Sequence, residues 1–377
     1  MRLIFSIILI LSILYTSCSS NMRSTEIDWK ELSSLNEING KPSLGYAGPV
    51  TGIINNHLII GGGANFPDSM PWLGGKKKYY DDAFIFIPVD ISLRFLKSIK
   101  LPDTIAYAAI CNIPNGIVYA GGENQNGISN KVWQMRMDSS GNIIFDSLPD
   151  LPIALSNASL TYHNNRFYLA GGESLSSVSS AFFMLDMKTP QDGWQEMAAL
   201  IKPTSHAVMI SQNDKIYLIG GRMKTKSGIS ELYSSMYVYS ITDNKWSNVK
   251  SLPYAISAGT GISIGESEII LFGGDKGETF HKTEKLISEI NAEHDNAKKE
   301  ALIKQKADLQ SSHPGFSNEI LRYNSHKNEW NKDGSIPYSV PVTTTAFLKG
   351  DTVFIPTGEI KAGVRSSKIL MGIIKHH

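Results

Sequence analysis

The stretch KIYLIGG (Lys215–Gly221) decides how this chain is read. Aliphatic and aromatic residues crowd a short run, which is a strand signal. Two glycines then end it, where the backbone needs an approach that a side chain would block. The same figure recurs as HLIIGGG (His57–Gly63), IVYAGG (Ile117–Gly122), RFYLAGG (Arg166–Gly172) and EIILFGG (Glu268–Gly274), with TVFIPTG (Thr352–Gly358) as a degenerate sixth. From Gly62 to Thr357 the first positions of these pairs lie 59, 50, 49, 53 and 84 residues apart. Outward from each comes an alternating strand such as MYVYSI (Met236–Ile241), then a turn such as TDNKW (Thr242–Trp246) or HKNEW (His326–Trp330). A segment ending in Leu-Pro or Ile-Pro closes the unit. Trp194, Trp246 and Trp330 open the strand after the turn, and Phe145 takes that place in the second unit.

Short strands, turn signals and a period near 50 residues predict an all-β fold, a six-bladed kelch-type β-propeller over residues 27–377. The tryptophans supply apolar area between neighbouring blades, so these repeated residues are structural. After the sixth figure there is one further strand, SKILMGII (Ser367–Ile374), and the missing outer strand has its counterpart in IDWKELSSL (Ile27–Leu35). The N-terminal strand is therefore expected to complete the last blade, which removes an open sheet edge. One segment, about 275–318, breaks the period with a charged, helix-like sequence. Leu286, Ile287, Ile290, Ala297, Ala301, Leu302 and Leu309 fall roughly on one face of it. It reads either as a solvated helical insertion or as a lid beside a pocket, because it follows a diglycine.

Residues 1–17 carry Arg2 and then the apolar run Leu3–Tyr15, an expected export signal too short to span a bilayer, which takes about 20 residues. The following TSCSSN (Thr16–Asn21) resembles a lipoprotein cleavage site. Cys18 is thus expected to be acylated at the head of a tether over 18–26. The propeller would then be exported, periplasmic and attached to a bacterial membrane only through lipid; a plain secretory signal is the alternative. The chain has 36 basic and 35 acidic side chains, and loss of Arg2 with the leader makes them equal. Nucleic acid is excluded as partner, since that binding needs a basic footprint. Cys111 then stands alone and can form no internal disulfide.

Polar residues follow each diglycine, and small residues lead into each inner strand, as in LSNASL (Leu155–Leu160) and PTSHAVM (Pro203–Met209). One end of the channel is expected to gather Asn157, His206, Glu123, Glu173, Arg222, Asp275, Glu359 and Arg365 around a cavity suited to a small ligand. Several bland readings compete. Lys76–Lys78 is an ordinary solvated run, Glu123 and Glu173 repeat as blade-structural groups, and a lone His is commonly structural. No metal-ligand spacing is present. Glu359 and Arg365 stand six residues apart in TGEIKAGVR (Thr357–Arg365), a connection longer than a tight hairpin loop.

With its diglycine strands, its long insertion and the TGEIKAGVR loop, the chain resembles the kelch-type sialic-acid mutarotases (N-acetylneuraminate epimerases), specifically their cyclically permuted members. The family loop reads Asn-Gly-Glu-x-Lys-x-Gly-x-Arg, so Thr357 departs from it while Glu359, Lys361, Gly363 and Arg365 match. The resemblance implies an isomerase without cofactor, acting on a small sugar acid. Glu359 and Arg365 would be catalytic, and Lys361, Asn157, His206 and Arg222 are further substrate-binding candidates. Exchange of the two anomers needs a proton removed from the C2 hydroxyl and one delivered to the ring oxygen. Glu359 would be the base and Arg365 the partner of the carboxylate or of developing oxyanion charge. Oligomeric state is not legible. A mutarotase for another acidic sugar and a non-catalytic interaction module remain open. A copper-radical oxidase would need a reactive Cys111, which lies in a buried-looking strand.

Overall fold

A computed structural model describes residues 26–32, 34–36 and 40–375. The expected export signal, Cys18 and nearly all of the tether lie outside the described residues. Six antiparallel sheets, each with four principal strands, succeed one another around a central axis. In the first five blades the inner strands are Ala47–Ile54, Ala109–Ile113, Ser159–His163, Val208–Gln212 and Thr260–Ile264. The sixth comprises Phe347–Lys349, Thr352–Lys361, Val364–Lys375 and, as outer strand, Glu26–Glu31. Trp29 pairs with Gly372, so the N-terminal strand closes the ring as the repeat count requires.

Packing follows the same logic. Six buried apolar clusters occur, one at each interface between adjacent blades. Each first glycine of a pair lies where the neighbouring blade crosses. A Cβ on Gly121 would sit 2.1 Å from the Leu155 carbonyl oxygen, and one on Gly171 2.0 Å from that of Thr204. In the sixth blade Thr357 occupies this place at φ +43° and fully buried, its hydroxyl accepting from Tyr46 N and donating to Ser366 O. The tryptophans do more than fill space. The indole N–H of Trp194, Trp246 and Trp330 donates to Pro149, Ala198 and Lys250 respectively, each carbonyl belonging to the end of the preceding blade.

The insertion forms two helices, α1 (Glu278–Ala292) and α2 (Asn296–Ser311), between the second and third strands of the fifth blade. The expected single apolar face is only partly realised. Leu286 and Ile290 are buried, whereas Ile287 is exposed and α2 buries no residue. The reason is local: the chain turns at residues 293–295, and Asp295 caps α2 by accepting from Lys298 N at 2.9 Å, so the periodicity restarts.

Candidate active site

The inner strands begin at a closed ring of six backbone hydrogen bonds. Gly48, Tyr107, Asn157, His206, Ala258 and Thr343, one from each blade, each donate an N–H to the carbonyl of the preceding member at 2.7–3.2 Å, Gly48 donating to Thr343. All six have φ between +53° and +64°. That left-handed conformation suits glycine and is tolerated by Asn and His, but it costs other residues roughly 1–2 kcal/mol. Gly48 must also lack a side chain: a Cβ there would lie 2.4 Å from Tyr107 N and 2.6 Å from its Cδ1. The ring turns the side chains of its five other members toward the axis.

A second tier follows from the diglycines. The residue after each pair bridges to the residue before its blade's ring member: Glu123 to Ala106, Glu173 to Ser156, Arg222 to Ser205, Asp275 to Ser257 and Glu359 to Val342. Backbone pairing therefore fixes five charged side chains around one mouth, where they line a cavity of about 390 Å³. Below the ring a narrower space of about 130 Å³ continues between the small residues of the inner strands. The upper volume falls within the roughly 300–1,000 Å³ of small-molecule sites.

Glu359 and Arg365 belong to one hairpin. Two bulges let the strands run on past the blade, and Lys361 pairs with Val364 across the turn Ala362–Gly363. The connection is thus tight rather than long. The six-residue step makes Glu359 and Arg365 direct cross-strand partners on one face. Glu359 Oε1 accepts from Gly363 N at 2.6 Å and lies 3.5 Å from Arg365 Nη1. The Arg365 side chain is 4% exposed, covered by the Phe66 ring at 4.8 Å. Its Nε donates to Ala64 O and its Nη2 to Tyr107 Oη, both at 3.4 Å, while Nη1 is buried with no hydrogen-bond partner. Glu359 is on the cavity wall, and Arg365 is packed behind Glu359 and Tyr107.

The other candidates divide. Asn157, His206 and Arg222 line the cavity and share Glu173. Asn157 Nδ2 donates to Glu173 Oε2 at 3.3 Å, and Arg222 Nη2 lies 3.8 Å from Oε1. Arg222 also donates to His206 Nε2 at 3.1 Å and stacks on Phe280 of α1 at 4.6 Å. Burial, and then the Arg222 charge, hold the His206 imidazole well below its ordinary pKa. Lys361 is exposed at the strand end and lies outside the cavity lining. Cys111, buried in the second blade's inner strand, has its thiol pushed up by burial.

Two bland expectations are corrected. Lys77 is not simply solvated: it pairs with Glu123 at 2.9 Å and sits 4.8 Å over the Tyr107 ring. Burial opposes its charge, but Tyr107 and Glu123 outweigh that and raise its pKa. The carboxylates of Glu123 and Glu173 serve side chains instead of neighbouring backbone amides; it is their backbone N–H and C=O groups, exchanged with Ala106 and Ser156, that do blade work. Tyr79 O–H also binds Glu123, at 2.7 Å, and burial followed by that bond pushes its pKa up to about 12.

Sequence reasoning missed Tyr107; of the two readings of the helical insertion, solvated or beside a pocket, the structure has it beside the cavity. Tyr107 was visible as the counterpart of Asn157 and His206 in the repeat. No periodicity signalled that Thr279, Phe280, Gln310, His313 and Phe316 would line the cavity. Glu284 ties α1 down by accepting from Ser230 N and Oγ, and α2 meets the turn Pro71–Leu73 of the first blade. The helical insertion and the first-blade segment running from Phe66 through Pro71–Leu73 to Lys77 together wall the mouth.

A family model described as N-acetylneuraminate epimerase matches residues 148–377. The chain belongs to that family. Relatives named N-acetylneuraminate epimerase include one from Haemophilus influenzae (strain PittEE), 27% identical over 226 residues, which are 59% of this chain and 58% of that protein. Others come from Salmonella typhi at 25% and Salmonella paratyphi B at 24%, each over 59% of this chain and 57% of theirs. The chain therefore spans less than two thirds of the length of the curated relatives it matches. The matched part of this epimerase-family chain holds blades three to five and the sixth except its outer strand, with Asn157, His206, Arg222 and the Glu359–Arg365 hairpin. Lys77, Tyr107 and Glu123 lie outside it.

Proposed function

We propose that this protein interconverts the α and β anomers of N-acetylneuraminate. The observation that carries the reading is Glu359. Its carboxylate stands on the wall of a cavity of fitting size, fixed by Gly363 N and Arg365, in a chain of the epimerase family. Glu359 takes the C2 hydroxyl proton as the ring opens to a ketone, rotation about C2–C3 presents the other face, and Glu359 returns the proton on closure. Such proton transfer typically contributes about 10²–10⁴-fold, enough above a spontaneous background.

Arg222 is the cation we assign to the substrate carboxylate. Its guanidinium is on the cavity wall, prealigned by Phe280, and a planar fork suits a carboxylate. Arg365, nearly sealed, serves instead to hold the groups in front of it. The protein would work exported, anchored through acylated Cys18, a reading supported by the leader and the TSCSSN motif.

The test follows the anomeric NMR signals of freshly released α-N-acetylneuraminate. Wild type should speed exchange well above background, and Glu359→Gln, which keeps shape but no base, should lose roughly 10²-fold or more in kcat. Wild type giving only the background rate would remove the proposal. Acceleration with a different acidic sugar alone would reassign the substrate.

A further inference from the structure

We infer that Tyr107 is the second proton-transfer residue of this site, the acid that serves the ring oxygen while Glu359 serves the C2 hydroxyl. The inference rests on the anomer-exchange reading and extends it to a residue outside the segment matched to the family. Opening the hemiketal moves two protons at two oxygens. A single carboxylate accepts one of them; the ring oxygen needs a donor of its own.

The geometry singles out Tyr107. One guanidinium, Arg365, touches both groups, with Nη1 3.5 Å from Glu359 Oε1 and Nη2 donating to Tyr107 Oη at 3.4 Å. Because the phenol oxygen accepts from Arg365, its own proton is left over, and among the described residues it has no protein acceptor. Other wall groups are committed. Lys77 is paired with Glu123, as is the O–H of Tyr79, which lies outside the cavity lining. His206 Nε2 accepts from Arg222, and His313 Nδ1 accepts from Gly315 N, so neither ring can carry the second proton an imidazolium needs. Tyr107 shares its left-handed backbone, φ +56°, with the other five ring members, and its phenol reaches Arg365.

The surroundings suit both protonation states. Burial raises the Tyr107 pKa above that of a free phenol, with Lys77 and Arg365 pulling the other way, so the phenol is protonated at neutral pH. After it gives its proton, the tyrosinate faces two cations, Arg365 against Oη and Lys77 over the ring. In the step, the C2–ring oxygen bond breaks, the ring oxygen gains the Tyr107 proton and becomes a hydroxyl, and the C2 hydroxyl loses its proton to Glu359 and becomes the ketone oxygen. Closure on the opposite face returns both protons. No other reactant is consumed.

The experiment compares Tyr107→Phe with wild type and Glu359→Gln in the anomer-exchange assay. Tyr107→Phe keeps the ring and the packing, and kcat should fall roughly 10²-fold with KM changed less than about threefold. A kcat within about threefold of wild type, or a loss confined to KM, overturns the inference. If Glu359→Gln is inactive while Tyr107→Phe is fully active, only this inference falls; if wild type itself gives the background rate, the functional reading falls with it. Should Tyr107→Phe not fold, Tyr107→Gly, whose backbone suits φ +56°, takes its place. Added phenol, but not toluene, should then restore exchange, and an equal response to both or to neither overturns the assignment.

Discussion

Replacing His206 with Asn should flatten the acid side of the stability curve. The side chain is 8% exposed, and its two nitrogens face different partners. An arginine has only donors, so Nε2 must offer its lone pair to Arg222 Nη2 at 3.1 Å; Nδ1–H then points to Ser205 Oγ at 3.1 Å. Protonating Nε2 would set N–H against N–H beside a fixed positive charge. Burial and Arg222 accordingly keep the folded-state pKa well below 6.5. In the unfolded chain the same ring titrates near about 6.5. Below that pH the unfolded state binds a proton the folded state refuses. The stability in question is therefore fully present above the unfolded pKa and is lost as pH falls, by up to about 1.4 kcal/mol per pH unit. Between pH 6.5 and 5 the loss is at most about 2 kcal/mol. Asn does not titrate and accepts the ring conformation, as Asn157 shows at φ +53°. Between urea midpoints at pH 7.5, 6.5, 5.5 and 5.0, at unchanged m-value, the difference between the two proteins should stay constant above about pH 6.5 and change only on the acid side, in favour of the variant. Titrations common to both proteins cancel in the difference. If Glu173, 3.5 Å from Nδ1, instead held the ring as an imidazolium, the difference would be constant on the acid side and shrink as pH rises above about 6.5. That result would refute the reasoning.

Three further outcomes are measurable, two from the same geometry and one from the leader sequence. Arg222→Ala should raise KM by roughly 10- to 100-fold, the worth of a hydrogen bond to a charged group, with kcat little changed in the anomer-exchange assay. Gly48→Ala should destabilise the fold by roughly 2 kcal/mol or more, seen as a lower melting temperature, and depress kcat. Its Cβ meets Tyr107 at 2.4–2.8 Å and its φ is +64°. Mass spectrometry of the protein purified from a bacterial host should find Cys18 at the mature N-terminus carrying more than one acyl chain, since a single chain gives only marginal membrane affinity. An unmodified Cys18 within a longer N-terminus would contradict this.

The blades were legible in the sequence because a repeat announces itself. Once KIYLIGG had been seen five times, the place of each strand, each Trp and each post-diglycine charge followed by index, and so did the partnership of Trp29 with the last strand. The sixth unit shows why indexing works even where identity fails. Thr357 replaces a glycine, yet its buried hydroxyl takes over local bonding to Tyr46 and Ser366, and the strand keeps its place. What indexing cannot reveal is where a strand pairs beyond its blade. The segment from Glu359 to Arg365 looked like an open connection because two bulges interrupt its alternation, and pairing across a bulge leaves no simple period-2 signature.

The site itself arises where the six-fold pattern is broken, and this explains which of its residues could be foreseen. A symmetric ring would place six equal side chains on the axis. Here Gly48 and Ala258 withdraw from it, which leaves room on two sides, while Tyr107, Asn157, His206 and Thr343 fill the other four with groups of different chemistry. Those differences stand in the sequence at equivalent positions, so they were open to reading. The roof is different in kind. Phe280 reaches Arg222 from an insertion in the fifth blade, and Phe66 and Lys77 reach Arg365 and Tyr107 from a loop in the first. Neither insertion repeats, so nothing in the sequence indexes one against the other; they meet only because each grows from the same face of its blade. Arg365 shows the consequence for chemistry. The family resemblance implied a partner for a carboxylate or for developing oxyanion charge; in the fold the first-blade loop covers Arg365, and its guanidinium lies against Glu359 and Tyr107. The guanidinium that stays open to the cavity, Arg222, is the one whose cover comes from a stacked ring, which aligns the fork and leaves its edge facing the ligand space.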